Sequence, residues 1–441
     1  MNKSKARALP VLALAFALLG AAPAPAPGQF PAASVTTLPN GVIVTAQISD
    51  DSPIASAQIF VPAGLAQQTP QTAGVAAVTA SVVLRTPTDN GMSLADEAAS
   101  AGGSIDYEID PETTRFEIES RASELPRLLN ALAQAIAKPD LTRFALARTE
   151  IVNLAGDDEK NPARVAYAMV RQVRYRGTGF AFPQAGRATA LARLTPGDVT
   201  RFAALYQHGT GTIVALTGAL TAADIDSASA AFAAWPASAA PAPAAPALDM
   251  RQSQIIAHRD VAAPWLALGF AAPSQFSRDF PAMLVIEALL GRGGGARALS
   301  FGTSNQAPAD DYAGAYYQYD ANPGTLVIFF NGGSRDVEDA LRQAEQGISR
   351  LRGQPLPAEL VARARKLALG EYYLSVTSLS DAAWMLGRSA RSPEGVAFEN
   401  ALAARIAAVT PADVQRVAKQ YLGNETIAIV LPTNTSPPPL R

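Results

Sequence analysis

The stretch Gly74-Val75-Ala76-Ala77-Val78-Thr79-Ala80-Ser81 begins a run of small and apolar residues that contains no proline. Such a dense apolar run predicts a helix over residues 72–84. Apart from two hydroxyl groups, its side chains are hydrocarbon. The stretch therefore contains no histidine, cysteine or carboxylate that could bind a metal or activate water.

The composition of the whole chain gives little material for a metal or nucleophilic centre. The 441 residues include two histidines, His208 and His258, and no cysteine. A zinc site with three protein ligands would need both histidines and a carboxylate brought together. No nucleophile-elbow sequence supports a serine triad, and the net charge of −2 gives no basic surface for nucleic acid. We expect both histidines to make ordinary structural hydrogen bonds.

The opening stretch resembles the zinc helix of the pitrilysin/insulinase-type metallopeptidases, the family of the mitochondrial processing peptidases, which reads Gly-x-Ala-His-x-x-Glu-His. There the histidines bind zinc and the glutamate activates water. Gly74-Val75-Ala76 keeps the frame, whereas the histidine positions fall on Ala77 and Ser81 and the glutamate position on Ala80. The resemblance implies a non-catalytic member that binds no metal and uses no cofactor.

The family takes its third zinc ligand, a glutamate, from a helix some seventy residues further along the chain. Residues 144–154 and the acidic run that follows resemble that region. An ungapped alignment places Leu154 at the ligand position, and a shift of four residues places Glu150 there instead. A single carboxylate would not hold catalytic zinc in either register. We interpret the adjacent Asp157 and Asp158 as charges of a loop or turn.

The N-terminus has the pattern of a secretory signal peptide, which we assign to residues 1–27. Three basic residues precede an apolar run over residues 8–22, and small residues and prolines follow. That run is short for a membrane span, and no other stretch of about 18 uncharged apolar residues occurs. We expect an exported, periplasmic protein without a membrane span. Because cysteine is absent, it also has no disulfide.

A repeated motif indicates two similarly folded domains. The pattern Thr-Pro-x-Asp-Val occurs at Thr195 and again at Thr410, each time as a helix start that leads into a final strand. A Pro/Ala tract predicts a linker over 236–248, between domains at 34–235 and 249–435. Strands and helices alternate in each half in an α+β pattern. The resemblance implies two homologous domains, each a mixed sheet packed on helices, that form one half of a clam shell.

The segment Ala101-Gly-Gly-Ser-Ile-Asp106 resembles the glycine pair before the family's edge strand. In the family that strand receives the substrate as an added β-strand, which makes Ile105 and Asp106 candidate substrate contacts. An alternative needs no ligand, because acidic residues alternate along this strand as they would on a solvated face. These are Asp106, Glu108, Asp110 and Glu112.

The second half contains a further candidate substrate-binding region. Active members place an arginine and a tyrosine, seven residues apart, on this domain to stabilise the oxyanion. Tyr312 matches the tyrosine, but Asn305 stands seven residues earlier and Arg297 lies further back. Tyr312 and Tyr316 are therefore candidate substrate contacts or simply packing residues of a strand.

A glycine run precedes this region. Gly293, Gly294 and Gly295 let a backbone approach a ligand closely or let a loop move, and no Gly-Lys-Ser/Thr follows to suggest a nucleotide. We expect either a substrate-facing gate or an ordinary turn.

These features predict the non-catalytic subunit of a heterodimeric peptidase for peptides or unfolded segments. Its partner would be a zinc-bearing homologue, and zinc would be held only there. The alternative is a stand-alone exported protein that binds peptides, or acts as a scaffold, without proteolysis. An autonomous peptidase would need zinc ligands that the chain lacks.

Overall fold

The computed structural model describes residues 32–49, 51–241, 246, 248–291, 312–331 and 337–435. The predicted signal peptide, the glycine run from Gly293 to Gly295, and Arg297 lie outside these residues. No helix in the described part of the chain is long and apolar enough to cross a membrane.

The first half forms a six-stranded sheet with helices. Its strands are β1 (Ser34–Thr37), β2 (Ile43–Ile48), β3 (Ile54–Val61), β4 (Ser104–Ile109), β5 (Thr114–Arg121) and β6 (Ile213–Gly218). Its helices are α1 (Val75–Arg85), α2 (Leu94–Ser100), α3 (Leu125–Ala137), α4 (Phe144–Lys160), α5 (Pro162–Arg174), α6 (Ala188–Leu191), α7 (Pro196–Ala203) and α8 (Ala222–Ala233). The strand order is β1-β2-β6-β3-β5-β4, with β2 parallel to β6 and the other neighbours antiparallel.

The second half repeats this arrangement. Its strands are β7 (Ser253–Arg259), β8 (Trp265–Ala272), β9 (Tyr312–Gln318), β10 (Gly324–Asn331) and β11 (Thr426–Pro432). Its helices are α9 (Phe280–Leu290), α10 (Val337–Gly353), α11 (Ala358–Leu374), α12 (Leu379–Ala390), α13 (Phe398–Ala408) and α14 (Pro411–Tyr421). The order β7-β11-β8-β10-β9 matches β2-β6-β3-β5-β4 strand for strand, and β7 is parallel to β11. The predicted α+β fold with two homologous domains is confirmed.

The repeated motif starts equivalent helices in the two halves. Thr195 caps α7 and Thr410 caps α14, and each forms a capping box with the aspartate three residues later. The prediction of a loop at Asp157 and Asp158 is wrong, because α4 continues to Lys160 and ends only where the next residue caps α5. Within the helix, Asp157 forms an ion pair with Lys160 at 2.9 Å.

The two halves exchange a helix. Helix α5 of the first half packs on β8 and β11 of the second sheet, and α12 of the second half packs on β3 and β6 of the first. Glycine permits close approach at both crossings. A methyl group on Gly269 of β8 would overlap Val170 of α5, and one on Gly387 of α12 would overlap the ring of Phe60 in β3. One face of each sheet is therefore covered by a helix from the other half of the chain.

The β4–β5 turn contacts the β9–β10 turn through charged groups. Glu112 accepts hydrogen bonds from the backbone and side chain of Asn322 at 2.7 and 2.6 Å. Arg391 of the loop after α12 bonds to Glu112 and to Asp320, the latter at 2.9 Å. The side chains of Asp110 and Glu112 are 24% and 12% exposed, so the interpretation of the acidic residues as one solvated face is wrong for these two.

Candidate functional site

Helix α1 carries Ala77, Ala80 and Ser81, which the resemblance predicts to correspond to the family's zinc-ligand and glutamate positions. The N–H groups of Gly74 and Ala76 donate to Oε1 of Gln68, at 2.8 and 3.2 Å, which satisfies two of the free donors at the helix start. Ala77 and Ser81, at the predicted histidine positions, and Ala80, at the predicted glutamate position, are all buried. Small side chains fill the space in which a metal centre would be built.

Ser81 bonds to an ion pair instead of a metal. Its Oγ donates to Oε2 of Glu150 at 2.6 Å, and the same carboxylate oxygen accepts from Nη2 of Arg85 at 3.0 Å. The side chains of Arg85 and Glu150 are 38% and 48% exposed, so the pair lies at the surface. A guanidinium cation thus neutralises the carboxylate at this place.

The two candidates for the third ligand position lie one turn apart on α4. Glu150 is the residue that contacts Ser81. Leu154 is 45% exposed, and Leu146, one turn before Glu150, is 58% exposed. The assignment of Leu154 to the ligand position stays a prediction, and the structure brings Glu150 to α1.

The residues at this place do not fit zinc. They offer one serine hydroxyl and one carboxylate, and the carboxylate is already bound to a guanidinium. In the described part of the chain, no three histidine or acidic side chains lie together as a metal site would require. His208 bonds to Ser238 at 2.8 Å and His258 to the carbonyl of Thr435 at 3.1 Å, so the predicted structural roles of both histidines are confirmed.

Strand β4 is outermost in the first sheet as far as the structure describes it. Ile105 pairs with Ile118 and its side chain is buried, which leaves only its main chain for contact with an added strand. Asp106 is exposed, and its carboxylate accepts from the N–H of Tyr107 at 2.8 Å. Burial raises the pKa of Tyr107, and the negative charges of Glu150 and Asp106 raise it further. Its phenol therefore stays protonated beside the ion pair.

A cavity of about 580 Å³ lies between the two halves. Residues of β4, α4, α5 and the loop before α6 form one side, and residues of the second sheet form the other. Tyr316 of β9 is 47% exposed and meets the ring of Tyr167 edge-on, with 6.1 Å between ring centroids. Gln318 accepts from the Tyr167 hydroxyl and from Nη1 of Arg171, the latter at 3.0 Å. Helix α5 thus holds the edge of the second sheet in place.

The remaining predicted contacts are only partly described. Tyr312 is the first residue of β9 and pairs with Asn331, and Tyr316 of the same strand pairs with Val327 and lines the cavity. The glycine run and Arg297 lie outside the described residues. Of the predicted contacts, the structure therefore places Tyr316 at a cavity shared with β4.

Arg85 and Tyr107 lie at this place although the sequence did not predict them. Arg85 follows Ser81 by four residues, a spacing that puts both on one helix face and could have signalled the ion pair. For Tyr107 no local signal exists, because its neighbour Glu150 comes from a helix 43 residues later in the chain. Strand β4 is outermost among the described strands, and the carboxylate of Glu150 is bound to Ser81 and Arg85.

Two family models match the chain. Residues 44–182 match "Insulinase (Peptidase family M16)", and residues 193–367 match "Peptidase M16 inactive domain". No curated protein matches the chain.

Solved structures with a similar fold cover nearly the whole chain. A protease from Helicobacter pylori is 16% identical, with a TM-score of 0.82 over 92% of this chain and 100% of that one. The peptidase M16 inactive domain from Pseudomonas fluorescens is 16% identical, with a TM-score of 0.79 over 92% and 99%. A chain of complex III2 from Candida albicans is 15% identical, with a TM-score of 0.74 over 90% and 95%.

The family models, which belong to one peptidase family and together span more than half of the chain, agree with the duplicated fold. The chain belongs to the insulinase family, peptidase family M16.

Proposed function

We propose that this protein is the non-catalytic subunit of an exported, periplasmic peptidase complex. The observation that supports this most directly is the ion pair of Arg85 and Glu150 at Ser81, a position that the resemblance assigns to a zinc ligand. Zinc and the catalytic glutamate would come from a homologous partner subunit. This chain would supply half of a chamber that admits peptides or unfolded segments.

The presence of the rest of the two-domain fold supports a role for the protein as one wall of the chamber. Both sheets, the outermost strand β4 and the cavity between the halves are intact. A chain of similar fold belongs to complex III2 from Candida albicans. A folded chain that lacks the zinc ligands and the catalytic glutamate is suited to binding and enclosing a substrate that a second subunit cuts.

The test is a peptidase assay on the purified chain alone, on its zinc-bearing homologue alone and on the mixture, with zinc content measured on each sample. We expect zinc and activity to follow the homologue, and activity to rise when this chain is added. Size-exclusion chromatography of the mixture should show a complex containing both chains. Zinc-dependent cleavage by this chain alone, or two chains that neither associate nor affect each other's activity, would contradict the proposal.

A second function is favoured by one observation, namely that the cavity and β4 belong to a single chain. A stand-alone peptide-binding protein would need no partner. In the same experiment it would bind labelled peptides with unchanged affinity whether or not the homologue is present.

A further inference from the structure

We propose that the exposed face of α4 formed by Leu146, Glu150 and Leu154, together with Arg85, binds an extended segment with apolar side chains at positions i and i+4 and an amide side chain at i+2. This surface, called the α4 face below, would retain the segment where the family's active members cut it. The proposal rests on the proposed function, because it assigns the α4 face to the same peptide substrate.

The ion pair has unused hydrogen-bonding capacity. All the hydrogen bonds that Glu150 makes in the described structure go to its Oε2, and Arg85 uses only Nε and Nη2. The ion pair therefore retains an acceptor, Oε1 of Glu150, and a donor, Nη1 of Arg85. An amide group offers the complementary donor and acceptor. Because the pair as a whole is neutral, it suits a neutral amide better than a charged side chain.

Two exposed leucines of α4 flank Glu150 at equal spacing in the sequence. Leu146 and Leu154 are 58% and 45% exposed and lie four residues before and after Glu150. Four residues of helix advance by about 6 Å. Along an extended chain, side chains on one face recur every two residues, or about 6.6 Å. A segment that runs along α4 therefore places side chains i, i+2 and i+4 opposite Leu146, Glu150 and Leu154.

The α4 face adjoins the elements that would hold a strand. Tyr107 of β4 lies close enough to Glu150 and Arg85 for both charges to affect its hydroxyl. Further along α4, Ala155 and Asp158 line the cavity that also contains Glu108 of β4 and Tyr316 of β9. This continuity argues for a peptide that passes from the α4 face into the cavity, rather than for a separate protein partner.

The proposal is tested by fluorescence anisotropy with a labelled peptide whose core is Leu-Ser-Gln-Ser-Leu. Two matched peptides replace both leucines by serine, or the glutamine by alanine. The protein variants are Leu146→Ser/Leu154→Ser and Arg85→Met/Glu150→Met. Leu374→Ser serves as the control, because Leu374 is 70% exposed on the other domain. Binding is measured on the full chain alone and in complex with a homologue made inactive by substitution of its catalytic glutamate, and circular dichroism checks that each variant is folded.

We expect loss of the leucines, whether in the peptide or in the protein, to weaken binding about tenfold or more. The Arg85→Met/Glu150→Met variant should abolish the preference for glutamine over alanine, and Leu374→Ser should bind as the wild type does. Peptide binding that is unchanged in the α4-face variants would overturn this inference and leave the proposed function intact. Failure of every peptide to bind, alone or in the complex, would overturn both. Loss of complex formation with normal peptide affinity would assign the α4 face to the partner and overturn the inference.

Discussion

At the scale of single residues, the side chains of α1 at the predicted zinc positions are tightly packed, and the nearby carboxylate of Glu150 is neutralised by a cation. Ala77 and Ala80 belong to the hydrophobic core, and Ser81 is buried beside them. Arg85 supplies the positive charge that Glu150 would otherwise share with a metal. Reintroduction of the ligands therefore meets two obstacles, which are the lack of space for larger side chains and a resident cation.

We predict that the variant Ala77→His/Ala80→Glu/Ser81→His folds with lower stability and gains little from zinc. Larger side chains at buried positions cost about 1–3 kcal/mol through overpacking. Addition of Arg85→Gln should free Glu150, so that zinc then raises the melting temperature. Differential scanning fluorimetry with and without zinc, together with metal content, measures both effects. Equal stabilisation by zinc with Arg85 present would show that the ion pair does not exclude the metal.

The sequence predicted which chemical groups are missing but not what replaces them. The side chains at Ala77, Ala80 and Ser81 lack the imidazole and carboxylate groups of a zinc site. The contact between Ser81 and Glu150 joins residues 69 positions apart, and an alignment with two possible registers did not identify it. Side-chain contacts of this kind depend on how α4 packs against α1, which local periodicity does not contain.

At the scale of elements, the exchange of α5 and α12 depends on close packing at two glycines. Phe60 of β3 occupies the space beside Gly387, and Val170 of α5 occupies the space beside Gly269. The contact around Phe60 also includes Leu386 of α12 and Ile213 of β6. Since protein interiors are packed without spare volume, one added methyl group at either glycine has to displace its neighbour.

We predict opposite effects for two glycine-to-alanine changes within helices. Gly387→Ala should destabilise the protein by about 1–3 kcal/mol, because the methyl group overlaps the Phe60 ring. Gly370→Ala in α11 is the matched control, since a methyl group there meets no atom within 4 Å. It should stabilise by about 0.5–1 kcal/mol, through helix propensity. Urea unfolding measures both, and a Gly387→Ala variant that is as stable as Gly370→Ala would contradict the packing argument.

Local patterns predicted most elements but not this exchange. The apolar run that predicted a helix over residues 72–84 corresponds to α1, which spans Val75–Arg85. Periodicity shows that one face of a helix is buried, but not which sheet buries it. The acidic residues before Asn161 suggested a turn, whereas the ion pair of Asp157 with Lys160 is compatible with a helix that continues to its last residue.

At the scale of the whole molecule, charged groups join the two halves at the turns that follow β4 and β9. Arg391 lies between Glu112 and Asp320, and all three side chains are less than a fifth exposed. Asp110 stands at the same turn, 3.6 Å from Arg115. Burial raises the pKa of Asp110 to about 7; the positive charge of Arg115 opposes the shift, and the negative charge of Asp320 adds to it.

We predict that Asp110 makes stability depend on pH between about 4 and 7. Because its pKa is raised in the folded state, the protonated form is favoured by folding. Its contribution is fully present below the unfolded pKa of 3.8 and is lost as the pH rises through about 7. The stability of Asp110→Asn relative to the wild type should rise by about 1–3 kcal/mol across this range and then level off. Urea unfolding at several pH values measures this difference.

The exposed Asp226→Asn variant is the control, and its stability relative to the wild type should change little over the same range. A difference between Asp110→Asn and the wild type that is constant from pH 4 to 7 would show that the environment of Asp110 does not favour its neutral form.

The helix exchange also determines what counts as one folding unit. Each sheet receives a covering helix from the other half, an arrangement that in two separate chains would be called domain swapping. The protein is in effect a swapped dimer whose subunits have been fused, so either half produced alone would expose an apolar sheet face and aggregate. Two chains divided within residues 236–248 and synthesised together should instead find each other and assemble, as the fragments of a split reporter protein do.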